Sequence, residues 1–200
     1  AWDCGSREQF PGWHRAVEYI PRSYEICRTI FPRLLGAVRS SRLPLFHVVS
    51  LGEYCKDYPG YKHAVAIAQE GPQPEKAESD PVLDTLRRFR KDNVFPGSHN
   101  FPDIERGFKE LTFPSEAKPL GDEGIAENGA QLFALCKEAG VNHLIYAGFA
   151  INWCLLLSPG GMADMDKRGI MCSGLSARKS PITPACTARV RSSSEAIPIA

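Results

Sequence analysis

The sequence predicts an α/β protein of three-layer architecture, a mostly parallel sheet with helices on both faces. Three observations carry this expectation. Short apolar runs recur at 45–51, 141–149 and 170–172, the pattern of strands covered on both sides. Helical periodicity occupies 21–42 and 128–139 between them. From residue 118 onward strand and helix alternate through short turns, the order that builds a parallel sheet.

Taken in order, 21–42 opens on Pro21, which suits a first helical turn, and Tyr24, Cys27, Phe31, Leu34, Leu35 and Val38 follow a 3.6-residue period. Pro32 inside that pattern predicts a kink or break. Leu43-Pro44 stops the helix, and "LFHVVSL" reads as a buried strand. Residues 52–117 mix aromatics, Gly, Pro and charge and read as a long surface excursion, with one helix over 82–91 and loop over 94–103. The helix over 128–139 puts Leu132, Leu135 and Cys136 on one face and ends at Gly140. "VNHLIYAGF" is a strand, "WCLLLS" starts a helix that Pro159-Gly160-Gly161 interrupts, "MADMDKRG" resumes helically, and "IMC" begins a further strand. Residues 1–172 are therefore read as one domain. Residues 173–200, rich in Ser, Pro, Thr and Arg and without an aromatic, are read as a disordered polar tail.

Bulk composition narrows the function classes. With 43% hydrophobic and 24% charged residues the 200-residue chain matches an ordinary globular domain. A formal net charge of +1 supplies no field to hold nucleic acid or a membrane surface. The basic clusters at 39–42 and 87–91 are short and read as solvated surface. No apolar run approaches the ~18 residues of a membrane span, and residues 1–10 lack the pattern of a signal peptide. Seven cysteines, an odd count without CxxC or zinc spacing, suit free thiols in a reducing, cytoplasmic setting.

The stretch that raises chemistry is "GFAINWCLLL", 148–157. Ligands of α/β sheets bind at the carboxyl ends of strands, where loops lead into helices. Cys154 falls five residues past the apolar run and opens the next helical pattern. Unpaired N–H groups and the helix dipole at such a place would lower a thiol pKa and could hold an oxyanion. The competing reading is a small buried hydrophobe, since free cysteine is among the most buried residue types.

The segment "HLIYAGFAINWCLLLSPGGMADMDKRGI", with "GAQLFALCKEAGVN" before it, resembles the active-site region of the isochorismatase-like cysteine hydrolases, the superfamily of nicotinamidase and N-carbamoylsarcosine amidase. The resemblance covers 118–172, with weaker support from 26–49. It implies a catalytic Asp, Lys and Cys, which fall on Asp3 in "AWDCG", Lys118 in "SEAKPLGDEG" and Cys154. It also implies a cis peptide at Phe149–Ala150 and an oxyanion hole from the backbone N–H groups of Ala150 and Cys154. Asp3 would take the thiol proton, and the thiolate would attack a carbonyl carbon of a small amide or related C–N bond. Lys118 would stabilise the charge, and water would release the acid from a thioester. Trp153, Phe149, Phe113 and Tyr54 are candidates to shape the pocket for that small-molecule substrate.

The chain departs from the family in two places. The metal-binding Asp and two His of nicotinamidases are not matched near 50–64, where Asp57 and His63 stand without a close Asp-x-His pair. His47 reads as a satisfied core histidine. No metal and no other cofactor are therefore expected. The aliphatic strand that should precede Asp3 and the family's last strand and helix are also unmatched, so the sheet is expected to be incomplete at both ends. Two readings stay open: a metal-independent cysteine hydrolase, or a non-catalytic relative serving as a subunit or binding scaffold. The family often assembles, which leaves room for a homo-oligomer.

Overall fold

The computed structural model describes residues 2–49, 52–69, 71, 78 and 80–175. Three helices come first: α1 (Pro11–Ala16), α2 (Ile20–Thr29) and α3 (Phe31–Arg39), each with proline in its first turn. The predicted helix over 21–42 is thus two helices. Pro32 has no N–H to continue the α2 ladder but fits the start of α3, so the chain breaks at Ile30.

Strand β1 (Phe46–Val48) follows, and then the excursion that sequence reading left mostly unfolded. It contains α4 (Pro59–Ile67), α5 (Pro81–Asn93) and α6 (Phe101–Lys109). The expected loop over 94–103 therefore already turns into helix at Phe101. α4 lies so close on the next strand that a Cβ at Gly60 would sit 2.0 Å from the Glu123 carbonyl oxygen. α5 differs from the other α-helices among the described residues, since none of its residues is buried.

A strand the sequence did not announce, β2 (Gly124–Ala126), comes next, and from there the order is the predicted one: α7 (Gly129–Glu138), β3 (His143–Tyr146), α8 (Met162–Asp166) and β4 (Met171–Gly174). The Asn128 side chain caps α7 by accepting from the Gln131 N–H at 3.0 Å. Gly140, at φ +65°, ends it as only glycine does without strain. β4 runs to Gly174, two residues beyond the expected domain edge, and the rest of the predicted tail, 176–200, lies outside the described residues.

The four strands among the described residues pair in parallel, β1 with β2 (Phe46↔Gly124 to Val48↔Ala126) and β3 with β4 (His143↔Met171 to Tyr146↔Gly174). The architecture is mixed α/β with two small parallel sheets. Among the described residues β1 and β3 do not pair, and Phe46, His47 and Val48 of one and Leu144, Ile145 and Tyr146 of the other instead line a shared cavity.

One core cluster joins Ala64, Ala126, Leu132, Leu135, Cys136, Met165 and Ile170, binding α4 and α7 to β2 and the approach to β4. A second, of Phe10, Trp13, Ile20, Ile104 and Leu111, holds α1 against α6. No helix among the described residues is long and apolar enough to cross a membrane.

Candidate functional site

Beyond Tyr146 the chain leaves β3 and reverses at Ala150, whose φ of 54° and ψ of 65° are left-handed. Its carbonyl accepts from the N–H groups of Trp153 (3.0 Å) and Leu155 (3.3 Å), closing a π-helical turn over Ile151–Leu155. The expected cis peptide at Phe149–Ala150 is corrected here: among the described residues only Phe95–Pro96 is cis. The left-handed Ala150 makes the bend that a cis bond was expected to make.

Cys154 is half-buried in this turn and lines a cavity of about 550 Å³ between β1 and β3. Leu155 and Ser158 share that wall, and Phe31, Leu34 and Leu35 of α3 line it too. Burial pushes the Cys154 thiol above its ordinary range, and a hydrogen bond with Ser158 opposes this only in part. The lowered pKa expected of a helix N-terminus is therefore corrected. Helical winding continues only to Leu157, so few peptide dipoles align behind the thiol, and desolvation of the thiolate dominates.

The other two members of the implied triad point elsewhere. Asp3 forms an antiparallel bridge with Thr112, donating its N–H at 2.8 Å. Its carboxylate accepts from the Tyr24 hydroxyl at 2.7 Å and the Gly5 N–H at 3.0 Å. Trp2 and Cys4 line the cavity and Asp3 does not, as alternation along an extended segment dictates. The same holds one element away, where Ala117 lines the cavity but the next residue, Lys118, is exposed. The Lys118 carbonyl accepts from Arg39 at 3.0 Å, while its ammonium has no hydrogen-bond or ion-pair partner among the described residues.

Of the aromatic candidates, Phe113 is buried and lines the cavity. Tyr54 stands behind it, ring centroids 4.9 Å apart, and does not reach the lining. Phe149 lines the cavity and packs on Phe31 at 5.8 Å. Trp153 is 61% exposed and meets Phe95 edge-on at 5.9 Å, so it lies outside the pocket.

Sequence reasoning missed a charge held by several partners at once. Glu123 accepts from Arg39 at 2.6 and 2.9 Å, from the Leu120 N–H at 3.0 Å, and meets His47 Nε2 at 2.8 Å. Burial alone would raise its carboxyl, but these hydrogen bonds outweigh burial and hold it at about 2. His47 goes the other way: burial lowers it more than Glu123 raises it, so a neutral ring donates from Nε2. His47 is thus the satisfied core histidine that its place in an apolar run suggests. Nothing in "GDEG" could have announced an arginine 84 residues earlier in the chain.

Among the described residues no group of three or more His, Cys, Asp or Glu is placed to hold a metal ion. The six cysteines among them, Cys4, Cys27, Cys55, Cys136, Cys154 and Cys172, are free thiols. No protein-family model, curated protein or solved structure matches the chain.

Proposed function

We propose that this chain is a non-catalytic binding domain on the plan of the cysteine hydrolases it resembles, taking a small, mainly apolar molecule into the cavity between β1 and β3. On this reading the two strand pairs are halves of one three-layer, mostly parallel sheet parted at the cavity. The observation that carries the proposal is the separation of the implied triad. Cys154 lines the cavity with a thiol pushed up by burial, while Asp3 is engaged by Tyr24 and Lys118 faces outward. A volume of about 550 Å³ is in the range of small-molecule sites. Its apolar lining from α3 and β3 suits a ligand driven in by burial of its own surface.

A second reading is kept because Cys154 stands past the carboxyl end of β3, where α/β proteins place their chemistry. It is a metal-independent hydrolase of a small amide or related C–N bond. The Cys154 thiolate would add to the carbonyl carbon, the amine would leave with a proton, and water would cleave the thioester. That route needs Asp3 to release Tyr24 and Lys118 to turn inward.

Iodoacetamide labelling between about pH 5 and 9, mapped to each cysteine, separates the two. For a binding domain, Cys154 labels appreciably only above its ordinary ~8.5. Lys118→Ala leaves that profile unchanged, and the apolar probe 1-anilinonaphthalene-8-sulfonate protects the thiol. Rapid labelling near about pH 6 that Lys118→Ala abolishes would put the hydrolase in its place.

A further inference from the structure

The cavity between β1 and β3 runs along two strand edges. Every residue of 43–49 and every residue of 143–149 lines it. Side chains alternate between the faces of a strand, so a space met by each residue in turn lies beside the strand rather than on one face. The backbone agrees. In an extended chain the N–H and C=O of one residue point to one side, and those of the next residue to the other. Val49 donates its N–H to the Ala126 carbonyl at 2.9 Å, so Val49 and His47 face β2 while Phe46 and Val48 face the cavity. The Asn142 and Tyr146 carbonyls accept from Met171 at 3.0 Å and Leu175 at 2.8 Å, which turns His143 and Ile145 toward the cavity. The backbone N–H and C=O groups of these four residues have no hydrogen-bond partner among the described residues.

Two open edges on one space specify the occupant by chemistry. Only a peptide backbone carries donors and acceptors at strand spacing on both of its sides. The walls add a requirement. Leu45 packs with Phe31 and Leu35 of α3, whereas Phe46 and Val48 pack with the cluster of Leu132 and Leu135 on α7. Neighbouring residues point to opposite faces, so the two helices close the gap from opposite sides with apolar surface. A strand entering there needs apolar side chains on both of its faces, over the three to four residues that β1 and β3 span. Residues of this chain outside the description do not supply one. A strand paired on both edges has no place for proline, and apolar walls exclude unpaired charge. Residues 72–77 carry both, and within 176–200 no stretch longer than 185–188 is free of both. That stretch, Ala185, Cys186, Thr187 and Ala188, lacks the bulk to fill two apolar walls.

We infer that the ligand of the cavity is an extended, apolar segment of a partner polypeptide, entering as a strand between β1 and β3 and joining the two pairs into one sheet. The inference rests on the binding role proposed for the cavity and gives the class of its ligand. The probe is the acetylated, amidated peptide Lys-Val-Ile-Val-Val-Ile-Lys, added to the full chain with 1-anilinonaphthalene-8-sulfonate bound. It should displace the dye. The same peptide N-methylated at alternate residues keeps its apolar surface but loses the donors of one edge, and should bind on the order of tenfold more weakly. Hydrogen exchange should show the N–H groups of Phe46, Val48, His143 and Ile145 protected by the unmodified peptide alone. Ile145→Pro removes one cavity-facing donor and spares the β3–β4 ladder, so it should weaken the peptide and not the dye. Should that variant not fold, the methylated peptide makes the same comparison from the ligand's side. A dye that binds and is not displaced by the peptide would overturn the inference and leave the binding role standing. Failure of dye and peptide alike would overturn both. Equal affinity of the methylated peptide would overturn the inference, as would protection of the four N–H groups without peptide, which would mean that the chain fills its own gap.

Discussion

The two strand pairs have the same hydrogen-bonded geometry and opposite surroundings. In the β1/β2 pair, Gly124, Ile125 and Ala126 are all buried under α4 and α7, and the neighbouring Glu123 ties β1 to α3 through His47 and Arg39. In the β3/β4 pair, Leu144 and Cys172 pack on the core, while Ile145 is 61% and Met171 56% exposed. Parallel strands are ordinarily covered on both faces. β2 meets that demand, whereas β1 is half-buried and β3 partly exposed, and the cavity with Cys154 lies between those two strands. Burial is thereby concentrated at β2 and ligand access at β1 and β3, as expected when sites draw on the less stable parts of a fold.

The largest expected effect sharpens this contrast in the core. Leu132, 1% exposed, fills the space between α7, β2 and α8. Leu132→Ala should cost about 3 kcal/mol through lost burial and the cavity left behind. Ile145→Ala should cost less than ~0.5 kcal/mol because its side chain is largely in water already. Urea unfolding midpoints of the two variants measure the difference. Equal losses would mean that β3 is covered in solution.

Next comes the Glu123 clamp, which pH addresses directly. Its folded-state carboxyl lies at about 2, below the ordinary 4.5. A depressed carboxyl contributes stability that is fully present above the ordinary value and is lost as pH falls from about 4.5 through about 2. The side chain is only 13% exposed, so little of this is screened. The contribution is about 2–3 kcal/mol at neutral pH. Glu123→Gln should remove most of it and flatten the dependence of stability on pH below about 5. Thermal unfolding of both proteins over that range checks the slope. An unchanged slope would mean that another carboxyl carries the acid sensitivity.

What was legible in the sequence was local. Asn128 and Gly140 bracket α7, and Pro32 divides α2 from α3, because caps and prolines act on their own turn. The helix over 82–91 could be read although none of its residues is buried in the described structure, since periodicity belongs to the helix alone. β2, three residues long, is too short for any period. α6 went unread inside "HNFPD", although Pro102 in its first turn is a start signal. At the site, the turn after β3 brings Cys154 to the wall of a cavity. Spacing carried no information on where Asp3 and Lys118 point, because alternation within 2–4 and 117–118 decides that. The raised thiol was out of reach for the same reason: the walls that bury it come from residues far away in the chain.

The smallest effect lies in the turn itself and separates backbone geometry from burial as the cause of its conformation. Gly148 was the natural residue for a left-handed position here, yet Ala150 takes it, at φ 54°. A left-handed residue with a Cβ costs roughly 1–2 kcal/mol, and glycine returns part of this as unfolded-state entropy. Ala150→Gly should therefore stabilise by about 0.5–1 kcal/mol. Ala150→Val should destabilise by more than that, since β-branching disfavours the same region further. If instead the β3–Cys154 link reorganises when the cavity fills, Ala150→Gly should leave stability unchanged and loosen the turn. Thermal midpoints read with and without 1-anilinonaphthalene-8-sulfonate distinguish the two: a stabilisation that persists in both states assigns the strain to the folded protein as a whole, whereas one that vanishes with the probe bound assigns it to the empty cavity alone.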